Sequence, residues 1–185
     1  MEIERKFTIK QLPENLADYP YHLIEQAYLN TNPVIRIRRE DEHYYMTYKG
    51  EGLMAREEYN LPLNAESYTH LLPKADGNVI SKKRYLIPIE FPCFSPDTTT
   101  QPPIPQQAAA SPSCDSSLQT PPDGWHPVIE LDVFAAPFED LIIAEVEFPS
   151  IEKANAFLPP AWFEKDVTND PAYHNSNLSK KVFSV

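Results

Sequence analysis

Apolar and polar residues alternate along most of this chain. Val34-Ile35-Arg36-Ile37-Arg38 places two isoleucines on one face of a strand and two arginines on the other. Glu2-Ile3-Glu4-Arg5-Lys6 puts two carboxylates and an ammonium in line at period two. The device recurs in Tyr45, Thr47 and Lys49, in Arg56 and Glu58, in Lys82 and Arg84, in Glu130 and Asp132, and in Glu145 and Glu147. The pattern predicts strands near 2–9, 21–31, 34–41, 44–50, 54–61, 79–90, 128–134 and 141–148. Short links such as Asp41-Glu42-His43 and Gly50-Glu51-Gly52-Leu53 read as hairpin turns, so the strands are expected to be antiparallel. Burying an unpaired charge is expensive. If the apolar sides pack outward against other elements, the charged sides face one another across an interior, and seven such strands make a polar-lined barrel.

Helical signals are few. Residues 12–19 suggest a turn or two. Asn64 is placed to cap a helix over 65–72 that Pro73 ends, and Ser150 to cap another over 151–157 that Pro159-Pro160 stops. The tail from 178 to 183 is expected to be helical. One stretch breaks the pattern: from Pro92 through Pro127 the chain holds nine prolines, with runs of Thr, Gln, Ala and Ser. Proline cannot donate to a ladder, and so few apolar groups cannot offset the ordering entropy. Residues 95–122 are therefore expected to be a mobile insertion joining two strands of a single 1–185 domain.

Composition narrows the function. The chain has 185 residues, 42% hydrophobic and 23% charged, with a formal net charge of −11. That balance argues against a nucleic-acid partner. Yet seven of the 16 Lys and Arg (Lys6, Arg36, Arg38, Lys49, Arg56, Lys82, Arg84) lie on the alternating strands, where they can hold an anion. Cys93 and Cys114 make neither a disulfide framework nor a zinc site. No apolar run is long enough to span a bilayer and no leader pattern is seen, so a cytoplasmic location with no membrane or obligate protein partner is expected.

These blocks, taken in order, resemble the CYTH domain family, the triphosphate tunnel metalloenzymes, and most closely its short bacterial members. The similarity runs through Glu2-x-Glu4-x-Lys6, Gln26-Ala27-Tyr28-Leu29, Ile35–Arg38, Thr47-Tyr48-Lys49-Gly50, Arg56-Glu57-Glu58, Ile80–Tyr85, Ile129–Phe134, Leu141–Phe148, Asp166-Val167-Thr168 and Tyr173–Leu178. It implies an α+β fold: an eight-stranded antiparallel β-barrel with a few helices packed outside and a charged tunnel within. The segment after Tyr173 and His174 would close one tunnel mouth.

The activity implied is metal-dependent hydrolysis of a triphosphate, foremost inorganic tripolyphosphate to diphosphate and phosphate. Adenylate cyclase, thiamine or nucleoside triphosphatase, and a non-catalytic polyphosphate or nucleotide sensor stay open. By resemblance Lys6, Arg36, Arg38, Lys49, Arg56, Lys82 and Arg84 would grip the phosphates, with guanidinium forks and ammonium point charges replacing hydration. Carboxylates in an anion site call for hard divalent cations, Mg²⁺ or Mn²⁺. Glu2, Glu4 and Glu145 are assigned to one side and Glu58, Asp132 and Glu147 to the other. Glu4, Glu147 and Lys6 are expected to carry the catalytic step; Glu130 is not assigned as a ligand.

Overall fold

A computed structural model describes residues 1–89 and 125–183; the expected insertion at 95–122 and both cysteines lie outside the described residues. The strands are β1 (Glu2–Ile9), β2 (Tyr21–Thr31), β3 (Val34–Glu40), β4 (His43–Lys49), β5 (Ala55–Arg56), β6 (Glu58–Leu63), β7 (Asp76–Pro88), β8 (Val128–Phe134), β9 (Ile142–Glu147) and β10 (Phe163–Asp166). They form one antiparallel sheet in the order β10-β1-β9-β8-β7-β2-β3-β4-β6, and β5 returns to pair with β1.

That return closes the sheet. β5 and β6 are one bent stave: β6 pairs with β4, while Ala55 and Arg56 sit opposite Ile3 and Glu2. The Glu4 amide adds a bond to the Met54 carbonyl at 2.9 Å. Eight staves therefore surround the interior, the number that leaves room for one small ligand. β10 is the addition, lying along the part of β1 that β5 does not reach. With only Phe163 apolar among its four residues, it offers no alternation to read.

The apolar sides pack outward, as the alternation predicts. Ile3, Phe7, Leu131, Ala144 and Val146 lie beneath α2 (Ile151–Ala156) with Phe148, Phe157 and Phe163. Ala27 and Ile37 lie beneath Tyr68 of α1 (Ala65–Leu71). Both helices start where expected: the Asn64 side chain accepts from the Ser67 amide and the Ser150 side chain from the Lys153 amide. The 12–19 stretch holds only a 3-10 turn over Leu16–Asp18.

The tail departs from expectation. Its helix, α3, spans Asn175–Leu178 rather than 178–183. The reason is competition for carbonyls. Asn78 at the start of β7 takes the Ser179 carbonyl with its amide at 2.7 Å and the Lys181 carbonyl with its side chain at 2.7 Å. Gly77 makes this docking feasible: at φ +70° it adopts a conformation other residues resist, and a Cβ there would lie 2.2 Å from the Ser179 oxygen. The docked tail brings Leu178 onto Tyr28, Ile80, Phe134, Phe138 and Ile143. Ile80 and Ile143 are two residues along from Lys82 and Glu145, so the charged faces of β7 and β9 turn apolar at this end. One end of the barrel is thus an apolar floor. Among the described residues no helix is long and apolar enough to cross a membrane.

Candidate active site

Above that floor the barrel encloses a cavity of about 150 Å³. Six cations line it (Lys6, Arg36, Arg38, Lys49, Arg56, Arg84), with seven carboxylates (Glu2, Glu4, Glu40, Glu58, Glu130, Glu145, Glu147). Strand register produces this: Glu4 is directly opposite Glu147, Lys6 opposite Glu145, Glu130 opposite Glu145, Lys49 opposite Glu58 and Glu2 opposite Arg56. His174, Asn175 and Ser176 of the docked tail form part of the wall, and the His174 Nε2 contacts the Thr168 carbonyl at 3.2 Å.

Most of these charges are paired. Lys49 Nζ reaches Glu2 at 2.7 Å and Glu58 at 2.5 Å. Arg56 holds Glu2 at 3.1 Å and Glu4 at 2.9 Å. Lys6 bridges Glu4, at 3.1 Å, and Glu145. Arg84 binds Glu145 at 2.5 Å, Asp132 at 2.7 Å, and Glu130. Two places depart from this. Among the described residues Arg36 has no carboxylate partner, and its buried Nε lacks any hydrogen bond; Arg38 has Glu40 at 3.7 Å. On the opposite wall Glu147 makes no ion pair or hydrogen bond to a described residue.

Proton affinities follow the pairing. Burial works to lower the Lys6 pKa, but Glu145 and Glu4 outweigh it and hold the ammonium above its ordinary value. Burial likewise opposes ionisation of Glu145 and Glu58; Lys6 and Arg84 overcome it for the first, while Lys49 draws the second down to about 2. Glu147 has no such partner. Burial, then Glu130, Glu2 and Glu4, push its carboxyl up to about 7. Arg36 is lowered by burial and by Arg38 beside it.

Eleven of the expected site residues thus line one cavity: Glu2, Glu4, Lys6, Arg36, Arg38, Lys49, Arg56, Glu58, Arg84, Glu145 and Glu147. Lys82 and Asp132 do not. They form a fully buried ion pair behind the wall, with the Lys82 ammonium 5.3 Å from the Phe134 ring centre and Asp132 shared with Arg84. Burial and the Arg84 charge pull the Lys82 pKa down to about 8. Among the carboxylates, Lys49 joins Glu2 to Glu58 and Arg84 joins Asp132 to Glu145.

Sequence reasoning passed over Glu40, Tyr28, Val34, Asn175 and Ser176 as lining residues. Glu40 was findable, being the next residue at period two after Arg36 and Arg38. Asn175 and Ser176 belong to the segment expected by resemblance to close one tunnel mouth, and the docked tail brings them to the wall.

Comparison with known proteins agrees with this architecture. The CYTH domain profile matches residues 1–108. An inorganic triphosphatase of Nitrosomonas europaea is 32% identical over 185 residues, covering 98% of each chain. One from Acetivibrio thermocellus is 27% identical, covering 98% of this chain and 95% of the relative. A crystal structure of an inorganic triphosphatase superposes with a TM-score of 0.60 at 29% identity, covering 98% of this chain and 96% of that one. With more than half its length matched by the profile and a relative above 30% identity along nearly all of it, the chain belongs to the CYTH domain family.

Proposed function

We propose that the protein hydrolyses inorganic triphosphate to diphosphate and phosphate in a reaction that requires a hard divalent cation, Mg²⁺ or Mn²⁺. The observation that carries this reading is the division of charge in the cavity. Arg36 and Arg38 stand on one wall without full counter-charge, and Glu147 stands on another without a cation. The two guanidinium groups supply planar donors for phosphate oxygens, and Lys6, Lys49 and Arg56 lie on the same cavity to extend the grip along the chain.

The donor chemistry fits the metal. The carboxylates on the wall offer only oxygen, and among the described residues His174 is the one imidazole there. No group of three acidic, His or Cys side chains is already gathered around one point among the described residues. A hard divalent ion keeps waters and takes phosphate oxygens as ligands beside a few carboxylates. Glu2, Glu4, Glu58 and Glu145 would hold it, leaving Glu147 free. When bound, the ion neutralises charge on the phosphates and polarises them toward attack.

The chain's own residues do the rest. Lys6, Arg36, Arg38, Lys49, Arg56 and Arg84 orient the phosphate chain and exclude bulk water. Glu147 lines the cavity without a cation of its own and is placed to accept a proton from the attacking water. Asp132 and Lys82 set the position of Arg84 from behind.

The test is phosphate release from tripolyphosphate, ATP and thiamine triphosphate, with Mg²⁺, with Mn²⁺ and after chelation. Tripolyphosphate should be cleaved fastest, and only with metal. Full activity after exhaustive chelation, or none on any triphosphate, would overturn the reading.

A further inference from the structure

Behind the arginine wall sits a side chain of a different kind. Gln26 on β2 is completely buried and does not reach the cavity. Its Oε1 accepts from Arg38 Nε at 3.2 Å and Nη2 at 3.0 Å, and lies 3.5 Å from Arg36 Nη1. Its Nε2 donates to the Tyr28 hydroxyl at 3.1 Å. Register fixes the arrangement, with Gln26 opposite Arg38 and Tyr28 opposite Arg36.

The contrast with the rest of the cavity is chemical. Lys6, Lys49, Arg56 and Arg84 are each held by carboxylates. For Arg36 and Arg38 the buried acceptor that joins them is an amide oxygen. An amide aims a guanidinium without cancelling its charge. A carboxylate at the same place would hold both arginines more firmly and neutralise one of them. An apolar side chain would leave two adjacent buried cations with nothing between them.

We propose that Gln26 is a positioning residue for triphosphate binding: it aims Arg36 and Arg38 into the cavity without itself neutralising the charge they offer the substrate's phosphate oxygens. This rests on the triphosphatase reading above. It predicts a pairing of effects that a packing role does not produce. Replacing the amide by a carboxylate of the same shape strengthens the free protein and weakens substrate binding together.

The experiment uses the full chain with Gln26→Glu and Gln26→Met. It measures KM and kcat on tripolyphosphate with Mg²⁺, and the melting temperature in metal-free buffer at pH 8. Gln26→Glu should raise KM about ten- to hundredfold, the scale of one charge-assisted contact, with kcat changed far less. It should melt higher than the parent protein. Gln26→Met should raise KM as well but melt lower. An unchanged KM in Gln26→Glu overturns the proposal, as does a lower melting temperature or failure of that variant to fold. If the parent protein itself neither binds nor cleaves tripolyphosphate, the functional reading falls first; if it does both and Gln26→Glu behaves like it, only the role of Gln26 falls.

Discussion

Replacing Glu147 by glutamine should make the free protein more stable and the enzyme far worse. Its carboxyl is pushed from an ordinary 4.5 to about 7, first by burial and then by Glu130, Glu2 and Glu4, with no cation in contact. A folded-state pKa above the unfolded one means that the fold favours the protonated acid. The associated stability is fully present below about pH 4.5 and is lost as pH rises through 7. Taken at face value, a shift of that size is about 3 kcal/mol. Glu147 stands exposed at the edge of the cavity, however, and solvent screening cuts this to about 1 kcal/mol. For a domain of this length, that is a rise in melting temperature of about 2–4 °C at pH 8 for Glu147→Gln in chelator. At pH 5, close to the ordinary value, the carboxyl of the unfolded chain is itself partly protonated, so the gain should be smaller. The same variant removes the group placed to take the water's proton and should lose about 10²–10⁴-fold in kcat. Thermal melts at the two pH values and phosphate release on one preparation check both halves. An equal gain at pH 5 and pH 8, a loss at pH 8, or retained turnover would refute the reasoning.

Arg38→Ala should raise KM for tripolyphosphate about ten- to hundredfold by removing a charge-assisted contact, while leaving the metal requirement intact; unchanged kinetics would remove Arg38 from the substrate cradle. In the slowed Glu147→Gln protein, tripolyphosphate should raise the melting temperature, since a ligand at about a hundred times its Kd adds about 2.7 kcal/mol to a folded state that alone binds it. A melting curve that ignores the anion would contradict a site inside the barrel. Gly77→Ala should destabilise by about 1–3 kcal/mol, because a non-glycine residue at φ +70° is strained and its Cβ would collide with the Ser179 carbonyl. A melting temperature equal to the parent's would show that the tail is not docked there.

Alternation made the barrel legible because it is a property of neighbours in the chain. Each of the eight expected strands is present, and their charged faces do turn inward. Alternation says which face a residue occupies, but not how far along the barrel axis it lies. Lys82 has the same parity as Arg84 and Asp132 the same as Glu130, so all four read alike in sequence. In the structure the first of each pair lies nearer the apolar floor, behind the wall, where Phe134 and Ile143 occupy the adjoining positions. Depth is set by strand tilt and by the docked tail, and both depend on contacts between distant segments. β10 and α3 were missed for the same reason: Phe163-Glu164-Lys165-Asp166 has no pattern of its own and is held by Phe7 and Ile9 of β1, while α3 ends where Asn78 captures its trailing carbonyls.

The ion pairs in the cavity also bear on how anion and metal would enter. Buried charges are tolerable only when compensated, and in the free protein Lys49, Arg56 and Lys6 compensate Glu2, Glu4, Glu58 and Glu145. A triphosphate drawn to Arg36 and Arg38 offers those same lysines and Arg56 another partner. Each cation that turns to phosphate releases a carboxylate oxygen, and each released carboxylate lacks compensation until a cation arrives. Once released, Glu2, Glu4, Glu58 and Glu145 would hold a divalent ion, whose charge would supply that compensation. Each ligand alone adds charge of one sign to the cavity, whereas the two together partly offset one another. Under the proposed function, anion and metal should therefore each tighten the other's binding by the same factor. The cations and carboxylates, matched in the free protein, then act as placeholders for the ligands that replace them.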